Sequence, residues 1–112
     1  MKVKSSSSPF GSTTRTRVLV ALGLLGDSYA RELSRLLGVP LSAVQKALQS
    51  LERDRMIAAR SAGRTRLYRF DPRYFAHADL MRFVMRLAEA ESDLHDRVAM
   101  IRRRPRRTGK PL

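Results

Sequence analysis

Tyr29-Ala-Arg-Glu-Leu-Ser-Arg-Leu-Leu-Gly38-Val39-Pro40-Leu41-Ser-Ala-Val-Gln-Lys-Ala-Leu-Gln-Ser-Leu-Glu-Arg53 leads directly into Met56-Ile-Ala-Ala-Arg-Ser-Ala-Gly-Arg-Thr-Arg-Leu-Tyr-Arg-Phe70. The first stretch predicts two helices with a sharp stop between them. Leu33, Leu36 and Leu37 form the inward face of a short helix starting near Ala30, and Arg31 and Arg35 lie four apart on its outer side. Gly38 suits the position after a helix, where a left-handed backbone costs glycine no steric penalty. Pro40 cannot extend a helix from its amino side, but it fits where a new one begins. Leu41, Val44, Leu48 and Leu51 follow at spacings of three, four and three as a buried stripe, leaving Ser42, Gln45, Lys46 and Gln49 on the opposite side.

The second stretch predicts a β-hairpin. Ile57 and Ala59 share one face of the first strand, and Tyr68 and Phe70 share one face of the second. Ser61-Ala62-Gly63-Arg64-Thr65 connects them, with Gly63 free to take positive φ. Arg60, Arg64, Arg66 and Arg69 crowd this segment. Guanidinium groups at that density repel one another unless a polyanion lies alongside.

Upstream, Val18, Leu19, Leu22 and Leu25 form the apolar stripe of a first helix, capped by Ser12 or Thr13 and ended by Gly26. The run Val18–Leu25 behind scattered basic residues superficially resembles a signal peptide. It is too short to span a bilayer and its lead is Ser-rich, so a buried helix is the better reading and a cytoplasmic location is expected. Residues 1–11 read as a flexible leader. Asp27-Ser28-Tyr29 reads as a connector, with room for a one-rung strand pairing with the hairpin.

Downstream of Asp71-Pro72, residues 76–103 contain neither Pro nor Gly and predict one long helix. Leu80, Val84, Leu87, Glu91, Leu94, Val98 and Ile101 form a heptad seam with one polar position. Met81, Met85 and Ala88 add a second stripe in the first half only. Leu94, Val98 and Ile101 would then lack cover, so Leu80, Val84, Leu87, Leu94, Val98 and Ile101 are expected to form a homodimer seam. Residues 104–112 complete a tail that is basic, proline-containing and expected to be disordered.

Composition narrows the function classes. The 112 residues are enough for one domain. Net charge is +13, of which residues 11–75 hold +7, and the sequence pI is about 11.6. Such an excess implies a polyanionic partner. There is no cysteine, which excludes disulfides, thiolate metal sites and cysteine redox switches. His77 and His95 stand 18 apart without a partner cluster, so no metal or other cofactor is expected. No phosphate-binding glycine loop and no nucleophile motif occurs, so an enzyme is not expected.

The order helix, turn, helix, basic hairpin resembles the winged helix-turn-helix of bacterial and archaeal transcription regulators, nearest to the ArsR-like branch. The residues carrying the likeness are Glu32-Leu33 with Leu37-Gly38, then Val44, Leu48 and Leu51-Glu52, then Met56-Ile57, and Gly63-Arg64 with Tyr68. It covers about residues 13–75, and it departs from the metal-sensing ArsR-like proteins in lacking cysteine pairs. The implied fold is mostly α with a small β-hairpin (α+β), a winged helix-turn-helix over residues 12–75, and the heptad seam adds the expected C-terminal dimerisation helix over 76–103. The implied partner is double-stranded DNA, with Ser42, Gln45, Lys46 and Gln49 reading bases in the major groove and Arg60, Arg64 and Arg66 on backbone or minor groove. Two other functions fit the composition: an architectural nucleoid-type DNA binder, and a winged-helix module docking an acidic protein. The amides of Gln45 and Gln49 favour sequence reading over the first, because amides pair bidentately with adenine. The arginine-rich wing disfavours the second. The sequence names no effector.

Overall fold

A computed structural model describes residues 8–103. The elements run α1 (Thr13–Leu25), β1 (Asp27–Ser28), α2 (Ala30–Leu37), α3 (Leu41–Arg53), β2 (Ile57–Ala62), β3 (Thr65–Phe70), α4 (His77–Ala88) and α5 (Ser92–Arg103). The fold is a winged helix, mostly α with a small antiparallel sheet.

α1 begins at Ser12, whose side chain accepts the Arg15 N–H, and it ends at Gly26, whose φ is 92°. Val18, Leu19, Ala21 and Leu22 are fully buried, so this helix forms the middle of the core. Gly23 faces α4: a Cβ there would stand 2.9 Å from Val84 Cγ1 and 3.4 Å from Met85 Sδ, so the two helices cross at a distance only glycine permits.

α2 ends as the spacing predicts. Gly38 is left-handed at φ 69°, and the amides of Gly38 and Val39 both donate to the Ser34 carbonyl. The Ser34 hydroxyl closes the turn by donating to the Val39 carbonyl at 2.6 Å. Pro40 then caps α3, its carbonyl accepting from Ala43 and Val44. At the far end of α3 the Met56 amide reaches back to Leu51 and the Arg55 amide to Glu52, which puts Arg55 in the left-handed region at φ 66°.

The sheet order is β1-β3-β2. Ile57 opposes Phe70 and Ala59 opposes Tyr68, so these four residues share the face turned to the core, where Ile57, Tyr68 and Phe70 are buried. The short β1 joins the other edge, with Ser28 opposite Tyr68 and Asp27 opposite Arg69. The Ser28 hydroxyl, fully buried, donates to Glu32 Oε1 at 2.6 Å, tying the first turn of α2 to the sheet.

Two expectations are corrected. The C-terminal stretch is not one helix: α4 stops at Ala88 and α5 starts at Ser92, with the Ala90 and Glu91 amides turning back onto Leu87 and Ala88. The break lets α5 fold back against α1 and α2. The distal seam is therefore covered within the chain. Leu94 and Val98 belong to the same core as Leu80 and Val84, while Leu87 and Ile101 pack half-buried against it. Two arginines of α5 also satisfy helix C-terminal carbonyls, Arg97 donating to Leu36 O at 2.7 Å and Arg102 to Leu24 O. The leader is likewise shorter than expected. Phe10 packs on Phe83 with ring centroids 5.6 Å apart, and its carbonyl accepts from Arg15 Nε at 2.6 Å. The tail over 104–112 and residues 1–7 lie outside the described residues.

Candidate nucleic-acid interface

The outer face of α3 is built by subtraction. Val44, Ala47, Leu48 and Leu51 are buried, which fixes the rotation of the helix about its axis. At 100° per residue, Gln45, Gln49, Ser42, Arg53 and Lys46 then fall within an arc of about 100°. All five side chains are exposed. Among the described residues none of them makes an ion pair or a side-chain hydrogen bond, so the arc is a row of uncommitted hydroxyl, amide and cationic groups. Arg53 is the member the sequence reading left out. Its position four residues beyond Gln49 and seven beyond Lys46 is the signal that could have found it.

The back of α3 is held by Arg15. Its guanidinium donates to Ser50 Oγ at 2.5 Å and to Asp54 Oδ2 at 3.0 Å, pinning the helix to α1. Asp54 is thereby turned away from the polar arc.

The four hairpin arginines fall into different situations. Arg64 sits at the exposed tip beside Gly63, whose φ is 66°, and has no partner among the described residues. Arg69 is exposed and likewise unpaired. Arg60 lies 3.9 Å from Asp27, a long and exposed pair. Arg66 is committed most firmly: its Nη2 donates to Glu52 Oε2 at 2.8 Å, and its guanidinium lies 5.8 Å from the centre of the Tyr68 ring. The Glu52 carboxylate holds the Arg66 guanidinium above its ordinary pKa, with help from Tyr68. On α2, Arg31 and Arg35 are exposed and unpaired among the described residues.

The structure thus brings Ser42, Gln45, Lys46 and Gln49 together on one face and places Arg60, Arg64 and Arg66 on the neighbouring hairpin. It does not gather the six seam residues into a surface, because four of them are core. Among the described residues no group of acidic, histidine or cysteine side chains could hold a metal ion, and no helix is long and apolar enough to cross a membrane.

A family model described as "Sugar-specific transcriptional regulator TrmB" matches residues 12–73, more than half of the chain. The chain belongs to the TrmB family. Family and fold are those of transcriptional regulators rather than enzymes. No curated protein matches the chain. Among solved structures, this TrmB-family chain is similar to the adhesin competence repressor AdcR of Streptococcus pyogenes, at 15% identity and TM-score 0.63, over 86% of this chain and 71% of that one. It is similar to AntR, an antimony-specific transcriptional repressor, at 27% identity and TM-score 0.57, over 74% of this chain and 73% of that one. A mutant of Lactococcus lactis ZitR in its apo form aligns at 20% identity and TM-score 0.59, over 75% of this chain and 64% of that one. All three share the winged-helix fold, and AntR, at 27% identity, agrees with the transcriptional-regulator reading. The TrmB-family chain spans about two thirds of the length of these neighbours.

Proposed function

We propose that this TrmB-family chain is a sequence-specific, cytoplasmic DNA-binding regulator that acts as a homodimer, with α3 in the major groove and the wing beside the backbone or minor groove. The observation that carries the reading is the polar arc of α3: Ser42, Gln45, Lys46, Gln49 and Arg53 are exposed, uncommitted and free of carboxylates. Amide and amine groups in that arrangement match the acceptor and donor pattern of base edges. Arg64 supplies the wing's contact with phosphate, since it alone rides the tip.

The dimer contact is assigned to α4, not to the sequence-derived seam. Met81, Phe83 and Met85 line an open surface depression of about 680 Å³ together with Asp79, Arg82, Arg86 and Glu89. Phe83 and Met85 are 45% and 38% exposed, which leaves apolar surface for a second copy to cover.

Titration of variants against a preferred and a scrambled duplex at several salt concentrations tests the DNA reading. Gln45→Ala and Lys46→Ala should each cost about 1–3 kcal/mol on the preferred duplex and little on the scrambled one. Arg64→Ala should weaken both alike and flatten the log–log salt slope by about 0.9, the value for one phosphate. Equal losses on both duplexes for Gln45→Ala would mean that α3 reads no bases, and the architectural reading would replace this one.

A further inference from the structure

A carboxylate of α3 is paired with an arginine of the wing. At 100° per residue Glu52 borders the polar arc of α3 on the Gln45 side, two turns beyond Gln45. Its carboxylate reaches across to the wing and accepts from Arg66 Nη2 at 2.8 Å. Arg66 projects from the sheet face it shares with Tyr68, on which its guanidinium rests. Two contacts of different kinds therefore fix where this guanidinium points. A carboxylate presents the same oxygen pair to an arginine as a phosphate does. Among the described residues, Glu52 is the carboxylate of α3 that borders the polar arc, because Asp54 is turned back to Arg15.

We infer that Glu52 is a positioning residue that withholds Arg66 from the DNA backbone, so that the wing's charge contact is limited to the unpaired arginines. This rests on the DNA-binding reading above. Without the pair, a wing with one more free guanidinium would bind any duplex more tightly, and the share of binding owed to base reading would fall. The pair has a second consequence. Because it bridges α3 and β3, the wing is aimed from the recognition helix itself.

The test is a double-mutant cycle on salt dependence, using a random-sequence duplex and the full chain. Glu52→Gln should steepen the log–log salt slope by about 0.9, one additional phosphate contact. In an Arg66→Ala background the same substitution should leave the slope unchanged. A Glu52→Gln effect that persists without Arg66 would mean that Glu52 acts only by repelling phosphate itself, and would overturn the inference. An unchanged slope in the Arg66-containing chain would overturn it as well. A parent chain that binds no duplex would instead remove the DNA-binding reading, a distinct result visible before any substitution is made. Glu52 and Arg66 are both on the surface, and matched thermal unfolding curves establish that each variant is folded.

Discussion

At the scale of single residues, the clearest case is Asp71, where β3 ends. Its Oδ1 accepts the Arg73 amide at 2.9 Å and lies 3.4 Å from Arg73 Nε, while its own amide donates to the Met56 carbonyl. The Arg73 backbone N–H, followed by the Arg73 side chain, holds the carboxyl below its ordinary pKa. A carboxylate whose folded pKa is depressed stabilises the fold above its unfolded pKa. That contribution is lost as pH falls below the ordinary carboxylate range and through the lower folded value. Asp71→Asn keeps an oxygen acceptor for the Arg73 amide but removes the charge, so it should lower stability near neutral pH, converge with the parent chain in strong acid, and make the acid limb shallower. Urea unfolding midpoints of both chains between neutral and strongly acid pH check this. An acid limb of unchanged steepness in the variant would show that Asp71 is not among the groups that set it. The same scale explains the site: Arg64 and Arg66 are two positions apart in sequence, yet one is free and the other bound to Glu52.

At the scale of elements, the break between α4 and α5 is decisive. A continuous helix would have carried Leu94 and Val98 away from the body of the chain. The turn at Glu89–Glu91 returns them to α1 and α2, where Leu94 is 1% exposed. Leu94→Ala should therefore cost about 2–5 kcal/mol of folding stability, the range for truncating a buried leucine. The loss should not depend on protein concentration, because the cavity lies within one chain. Chemical unfolding of parent and variant at two concentrations differing about a hundredfold makes the distinction, since truncating a partner-covered residue makes the difference between their midpoints depend on concentration. A loss below about 0.5 kcal/mol, the size expected of a surface position, would place Leu94 outside the core. The close crossing of α1 and α4 at Gly23 supports the same architecture, since it draws Val84 fully into the interior.

At the scale of the whole molecule, Phe75 before α4 and Met100 on α5 are exposed, and α4 leaves a further apolar area outside. Met81, Phe83 and Met85 share it, and Phe10 packs against its edge. Replacing Phe83 and Met85 together by Glu should leave each chain folded and convert dimers to monomers, because both side chains already touch solvent. Loss of the partner should also weaken binding to a two-half-site duplex more than to a single half-site. Sedimentation at roughly tens of micromolar, a concentration at which a specific interface holds, checks the first expectation. A monomeric parent chain at that concentration would dispose of the α4 interface.

Hydrophobic spacing determined α2, α3 and the hairpin, because each has one buried face and its period is written in neighbouring residues. By contrast, α1 is buried all round and was marked by its apolar run between Ser12 and Gly26. Gly38 and Pro40 determined the turn for a similarly local reason, the φ that each permits. The polar arc of α3 was legible as the complement of the Leu41–Leu51 stripe. Tertiary structure decided what the period leaves open. A seam at spacings of four and three is equally satisfied by a second chain or by the helix folding back on its own core, and only the turn after Ala88 selects the second. Nor does a run of arginines reveal which of them meets a carboxylate. Glu52 and Arg66 are 14 residues apart, and only the packing of α3 against β2, with β3 paired beside it, brings them within 2.8 Å. Both outcomes depend on long-range contacts, and a local sequence pattern constrains backbone conformation but not which distant surface buries it.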